Sequence, residues 1–214
     1  MRMNMYALVI QMLEGLVMTL SIFGITLIAA IPLGLAVALL RLSKVKPLSK
    51  AIELYIWVMR GTPLLLQLVF VFFGLPYIGI VINRYPAAIV AFILNYGAYF
   101  GEIFRGGIEA IDKGQYEGAE SLGLSPKRTF FRIILPQVTK RILPAVGNEV
   151  ITLIKDTSLV YVVGLGELLR VGKIASNREA SLIPLVAVGV FYLILTAVLT
   201  KSFEAAEKKL SYYQ

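Results

Sequence analysis

The chain of 214 residues contains no cysteine and no histidine. The first absence removes disulfide frameworks, thiol nucleophiles and sulfur-ligated metal sites. The second removes the commonest general base. The phosphate-cradling run G-x-x-x-x-G-K-[ST] is missing too; Gly172-Lys173 is followed by Ile174 and does not supply one. Any energy source is therefore expected on another chain or in a gradient. Charged residues are also scarce, at 16%, and the chain shows no internal repeat and no low-complexity segment.

Apolar residues are abundant. They make up 58% of the chain, where ordinary domains sit near about 45–50%, and the mean hydropathy is +0.79. The composition points to an all-α integral membrane protein of one domain, residues 1–214, because helices satisfy every backbone polar group in lipid and the runs do not alternate as barrel strands do. A net charge of +8 would suggest nucleic acid for a soluble protein. In a bilayer it reads as basic residues gathered on one side, with no nucleic-acid partner.

Five runs are long enough to cross a layer that takes about 20 helical residues: 16–40, 52–82, 86–104, 142–163 and 182–200. Thr19, Ser21 and Thr26 in the first are expected to bond back to their own helix. Asn4–Glu14 reads as a separate interfacial helix, and with Glu14 and no small-residue cleavage site the N-terminal stretch does not read as a cleaved signal peptide. Pro63 and Pro76 break the second run. Residues 164–180 read as a surface helix and loop. Trp57, Tyr6, Tyr55, Tyr77 and Tyr85 suit an interfacial belt.

With the N-terminus outside, the inner segments hold fourteen of the lysines and arginines, within 41–50, 105–141 and 201–209. The outer segments hold five: Arg2, Arg84, Arg170, Lys173 and Arg178. The asymmetry predicts N-out, C-in. The polar interval 112–137, between spans 3 and 4, is then cytoplasmic. Asp112 is placed to cap one short helix. Ser125-Pro126 start a second, whose apolar side carries Phe130, Phe131, Ile133, Ile134 and Leu135. Gly118 and Gly123 suggest a backbone approached closely, and Pro136 a turn back towards the membrane. Polar intervals this long usually have a job.

Within that interval Glu117, Ala119, Gly123, Ile133, Leu135 and Pro136 fall at the offsets E-x-A, three residues, Gly, nine residues, I-x-L-P. This resembles the cytoplasmic "EAA" signature of bacterial ABC importer permeases, with Gly118 in place of the middle alanine. Arg60-Gly-Thr-Pro-Leu-Leu-Leu-Gln67 and Asn95-Tyr-Gly-Ala-Tyr-Phe-Gly-Glu-Ile-Phe-Arg-Gly-Gly107 look like stretches of the polar amino acid uptake branch, the membrane subunits of arginine, histidine and glutamine transporters. The resemblance covers nearly the whole chain. It implies a multi-pass subunit of the bacterial cytoplasmic membrane, not an enzyme itself and without a cofactor. Its coupling helix, with Tyr116, Glu117, Gly118, Ala119, Ser121, Leu122, Gly123 and Leu124, docks a separate ATPase. That partner, in two copies, holds ATP and Mg. A second permease, for which a homodimer is preferred, and an extracellular amino-acid-binding protein complete the assembly.

Charges inside a bilayer default to function. Asn95, Tyr99 and Glu102 share one face of the third run, and Asn148, Glu149, Thr152, Lys155 and Asp156 make one side of the fourth polar. Two such faces can enclose a wet cavity; the competing reading is structural pairing between helices. For a free amino acid as substrate, Lys155 is expected to take the α-carboxylate and Asp156 the α-ammonium, with Asn95, Thr157 and Ser158 adding hydrogen bonds. Glu149 is left for a cationic side chain, that of arginine, lysine or histidine. Arg60 reads equally as an interfacial anchor or a gate, and Glu102 and Arg105 as a surface pair. A self-powered secondary transporter or channel, which often shows internal repeats, and a membrane enzyme are the rival readings.

Overall fold

Thirty-seven residues with one interior proline, Pro32, wind into a single helix, α1 (Met5–Arg41). The computed structural model describes residues 5–211. The expected interfacial helix is therefore not separate. Residues 5–14 are the first turns of α1, because a lone Gly15 weakens a helix by only about 1 kcal/mol and does not end it; Asn4 lies outside the described residues. Thr19 bonds back to Gly15 O as expected, at 3.0 Å. Ser21 instead bonds the Tyr85 hydroxyl, and Thr26 Oγ1 is buried without a partner among the described residues.

The second run is sharply broken rather than gently kinked. α2 (Lys46–Gly61) stops at Thr62, which is extended with φ −120° and ψ 146°. Pro63 has no N–H, and its ring drives the preceding residue out of the helical region. α3 (Leu64–Val69) leaves at 104° to α2. It widens into a π turn at Phe70–Gly74 and tightens into a 3₁₀ turn at Leu75–Ile78, where Gly79 ends it at φ +83°.

α4 spans Arg84–Glu109. The polar interval folds as α5 (Lys113–Ser121) and α6 (Pro126–Thr129). From Pro126 the backbone stays helical through a π turn at Phe130–Ile134, α7 (Leu135–Asp156) and a 3₁₀ stretch, Thr157–Val163. Pro136 is thus no turn. It sits at the start of α7, where its missing N–H costs least, just after the widened turn. α8 (Leu168–Glu179) and α9 (Ile183–Ser211) complete the described chain. By length and apolarity three helices among the described residues, α1, α4 and α9, can cross a membrane, and a fourth if the bent α2–α3 pair counts as one span. α7 is not among them because Lys140, Arg141 and Glu149 fall within every 18-residue stretch of it, with Lys155 and Asp156 at its end.

Lipid tails are as apolar as leucine, so such helices associate through close packing and hydrogen bonds rather than escape from water. Glycines supply the closeness. A Cβ on Gly34 of α1 would lie 2.6 Å from Phe100 Cβ and 3.0 Å from Gly101 N on α4. One on Gly101 would lie 2.5 Å from Val37 Cγ1. α7 crosses α4 at Gly107, against Ile142, and α9 crosses α8 at Gly172, against Val188. Ile22, Leu68, Phe92, Tyr96, Phe100, Leu153 and Val160 form the core around these crossings. At the start of α8, buried Glu167 accepts from the amides of Leu169 and Arg170 at 2.6 Å. It also accepts from the Tyr192 hydroxyl at 3.2 Å. Exposed Val186, Val190, Leu193 and Val198 give α9 an apolar outer face.

Candidate functional site

The break at Thr62–Pro63 leaves the last carbonyls of α2 without helical partners. Side chains cap them. Gln67 Nε2 donates to Met59 O at 2.9 Å and to Thr62 O at 3.2 Å. Asn95 Nδ2 donates to Met59 O and to Gln67 Oε1, both at 3.0 Å. Asn95 is 4% exposed, and both its donors hold the break in place, so they are not free for a ligand. Gln67→Leu is expected to take the side-chain donor from Thr62 O, leave Met59 O with Asn95 alone and remove an acceptor from Asn95, at about 1–3 kcal/mol per buried group left unpaired. The measurement is the thermal midpoint of the purified permease; an unchanged midpoint shows that the break does not need the amide.

Beside the break lies a cavity of about 590 Å³, lined by Arg60 to Leu65, Asn95, Tyr96, Tyr99, Glu149, Thr152, Asp156 and Leu159. Its charges are two carboxylates and one guanidinium. Tyr96 donates its hydroxyl to Asp156 Oδ2 at 2.8 Å, and Oδ1 has no hydrogen bond among the described residues. Glu149 is half-buried and has no ion pair among the described residues. The Arg60 guanidinium lies over the Tyr99 ring, 5.2 Å from its centroid, a cation–π contact. Thr152 returns its hydroxyl to Asn148 O.

Arg60 also lines a second cavity of about 500 Å³, with Arg41, Glu53, Trp57, Glu102 and Arg105. Here Arg41 pairs with Glu53 at 3.0 Å. Arg105 grips Glu102, its Nε at 2.9 Å, and also pairs with Glu109. Arg60 is therefore the side chain shared by the two cavities and so lies between them.

Three expected ligands do not come to the first cavity. Lys155 is exposed, about 100° round the helix from Asp156. Thr157 is buried and donates to Ile154 O at 2.7 Å; it begins the 3₁₀ stretch, which shifts the phase for Ser158. In their place the structure brings Arg60 and Tyr96. Tyr96 stands next to the expected Asn95–Tyr99 face, and Gln67 is a lone amide in an apolar run; both signals were visible and neither named a role.

At the other end, Asp112 Oδ1 accepts from Gly114 N at 2.6 Å and starts α5. Ser125 Oγ accepts from Arg128 N at 3.5 Å and starts α6. Gly123, at φ +72°, ends α5. Its N–H bonds Glu120 O at 2.8 Å, and Leu124 N bonds Ala119 O at 3.0 Å. This is a Schellman cap, and it explains the spacing of Ala119 and Gly123: they are the third helical position from the end and the left-handed residue beyond it. Ala119 is buried at 3%. Gly118, by contrast, is exposed, and a Cβ there would meet nothing. Leu122 is 80% exposed and Tyr116 38%; Glu117, Ser121 and Gly123 are exposed and Leu124 half-buried. Ile111, Ile134 and Val138 form the apolar bed beneath the segment. Gln137 ties it to Gln115, at 3.1 Å.

Residues 30–212 match the family described as binding-protein-dependent transport system inner membrane component. An arginine transport system permease protein of Bacillus subtilis (strain 168) is 42% identical over 200 residues, covering 92% of this chain and 91% of that one. A putative glutamine transport system permease protein of Rickettsia bellii (strain RML369-C) is 35% identical, covering 94% of each. An L-cystine transport system permease protein of Bacillus subtilis (strain 168) is also 35% identical, covering 93% and 86%. Among solved structures, the crystal structure of an amino acid ABC transporter with histidines matches with a TM-score of 0.88 at 34% identity. It covers 98% of this chain and 100% of that one. A helical chain with a polar cavity at a broken helix, and a capped amphipathic segment at one end, is accounted for by these matches. It belongs to the binding-protein-dependent transport system inner membrane components and is the permease component of an amino-acid ABC importer.

Proposed function

We propose that this permease carries basic amino acids into a bacterial cell across its cytoplasmic membrane, driven by a separate ATPase. The observation that carries the reading is the cavity, with two carboxylates against one guanidinium. A basic amino acid brings two cationic groups and one carboxylate, the complementary set. Asp156 takes the α-ammonium, Arg60 the α-carboxylate in place of Lys155, and Glu149 the cationic side chain, with Tyr99 and Thr152 on the same wall. The arginine transport system relative at 42% identity supports the choice.

The chain crosses five times, N-terminus outside, with α7 and its 3₁₀ extension as the fourth crossing. Its Glu149, Thr152 and Asp156 face the cavity. Two permeases, as a homodimer, stand on two ATPase subunits that hold ATP and Mg. α5 is the coupling helix, and Leu122, Tyr116, Glu117 and Ser121 are its contact surface. An extracellular amino-acid-binding protein delivers the substrate. Arg60, between the two cavities, is the inner gate. When the ATPases close, the α5 segments move with them and the crossings rock between outward and inward access.

In vesicles containing permease, ATPase and binding protein, Glu149→Gln is expected to lower uptake of labelled arginine at least about tenfold, a loss of about 1.4 kcal/mol or more. Uptake of labelled glutamine should change little. Equal arginine uptake by the variant removes the basic assignment, and transport without any ATPase removes the ABC coupling.

A further inference from the structure

Gly164 ends the 3₁₀ stretch in the left-handed region, at φ +83°. Two cations converge on it. The position its Cβ would take lies 3.2 Å from Arg170 Nη1 and 3.6 Å from both Cζ and Nη1 of Arg84. The two guanidinium nitrogens are thus no farther apart than those distances added together. Lys173 joins them one turn along α8, its ammonium 4.8 Å from the centre of the Tyr161 ring.

The Glu167 carboxylate lies within electrostatic reach of Arg170, but no ion pair neutralises this cluster among the described residues. None of the ion pairs among the described residues involves Arg84, Arg170 or Lys173. Glu167 is buried, with its oxygens taken by the amides of Leu169 and Arg170 and by Tyr192. Glu179 pairs with Arg178 at 3.3 Å. Glu14 is exposed on α1 and pairs with none of the three. Like charges this close repel, and a fold that leaves them so implies an anion supplied from outside the chain.

Their place in the fold identifies the anion's carrier. Arg84 is the first residue of α4, which carries Tyr96 and Tyr99. Gly164 closes the helical stretch that carries Glu149 and Asp156. The cations therefore crown the ends of both elements that wall the substrate cavity, at the end opposite α5. Apolar α9 marks the flank that faces lipid. A partner seated here touches the ends of both elements that wall the cavity, on the side away from α5, which suits a delivery protein.

We infer that Arg84 and Arg170 form a carboxylate clamp for an aspartate or glutamate on the soluble binding protein, with Lys173 reinforcing it. The inference rests on the outward placement of this end proposed above. A carboxylate between two guanidinium groups accepts charge-assisted, fork-like hydrogen bonds, and the missing side chain at Gly164 leaves it room. The clamp governs docking, and so the encounter rate and salt dependence, while the cavity governs substrate choice.

The test uses the permease–ATPase complex in neutral phosphatidylcholine vesicles and the purified binding protein that stimulates its ATP hydrolysis. The reading is the binding-protein concentration for half-maximal stimulation. The Arg84→Glu/Arg170→Glu complex is expected to need at least about ten times more, and the wild-type's weakening with salt should largely vanish in it. The Arg84→Lys/Arg170→Lys complex keeps the salt dependence with a shift of a few-fold, because lysine keeps the charge and loses the fork. Co-purification of the ATPase shows that each variant is assembled. A charge-reversed complex with the wild-type half-maximum overturns the clamp, as does an equal loss in the lysine pair. A shift seen only in vesicles containing phosphatidylglycerol assigns the arginines to a lipid headgroup and also overturns it. A wild-type complex that no binding protein stimulates overturns the importer reading, and the clamp with it.

Discussion

Gly34→Leu is expected to abolish accumulation of folded permease in the membrane. The α1–α4 contact joins two long helices, and Gly34 stands in it with backbone on the opposite side. A Cβ there meets Phe100 Cβ at 2.6 Å and the Gly101 amide at 3.0 Å. These are main-chain and first side-chain atoms, which cannot swing away as the tip of a lysine does. Overpacking costs about 1–3 kcal/mol where side chains can give; here a leucine must separate two whole helices, and the same separation opens the Gly97–Leu33 and Gly101–Val37 contacts on either side. Against a net stability of about 5–15 kcal/mol the loss is decisive. Gly24→Leu is the control, since nothing lies within 4 Å of its Cβ position. Detergent-extracted monodisperse protein and its thermal midpoint are the readings, and a Gly34→Leu permease that matches Gly24→Leu refutes the packing account.

The second large effect is at Gly123. Valine there must adopt φ +72°, which a β-branched residue tolerates least. Strain of this kind is of order 1–3 kcal/mol. It is met by unwinding the Schellman cap, because α5 is short and exposed and gives way before the membrane helices do. Leu124 then loses its bond to Ala119 O, and Leu122 loses its fixed place at the tip. We expect Gly123→Val to leave the thermal midpoint of the permease nearly unchanged while reducing co-purification of the ATPase and ATP-driven uptake to a few per cent. Gly118→Val is the contrast: its Cβ meets nothing within 4 Å, so an equal loss there locates the effect in bulk at the docking surface rather than in the cap. Full coupling by Gly123→Val refutes the role given to α5.

Some features were readable from residue type alone, because their chemistry is local. Asp112 and Ser125 cap the helices just after them. Arg105 pairs within its own helix with Glu102, three residues back. Asn95 could not be read that way. Its amide serves a carbonyl on Met59, thirty-six residues earlier in the chain, and that carbonyl needs a donor only because Pro63 has ended the helix there. A polar residue on a cavity wall and a polar residue holding a helix end look the same in one dimension. Lys155 and Arg60 differ for a similar reason. Helical phase placed Lys155 near the polar side of its span, but only packing decides which hundred degrees of a helix are covered, and Arg60, from the end of α2, lines the space instead. The end of the interfacial segment and the role of Pro136 were missed because a glycine or a proline weakens a helix without necessarily ending it.

One stretch of backbone runs helically from Pro126, beside α5, to Val163, beyond Asp156. At about 1.5 Å per residue the part from Pro126 to Asp156 is a strut of about 45 Å. Such a member carries a push at one end to the other through its own hydrogen bonds, without a relay of side chains. Its stiffness is not uniform. The wide turn at Phe130–Ile134 and the interior Pro144 are the two places where the regular ladder of bonds is interrupted, and helices bend at such places. The strut is therefore jointed near its α5 end and again short of the carboxylates, and an angle imposed at α5 would reach Glu149 and Asp156 only after those two joints had taken their share.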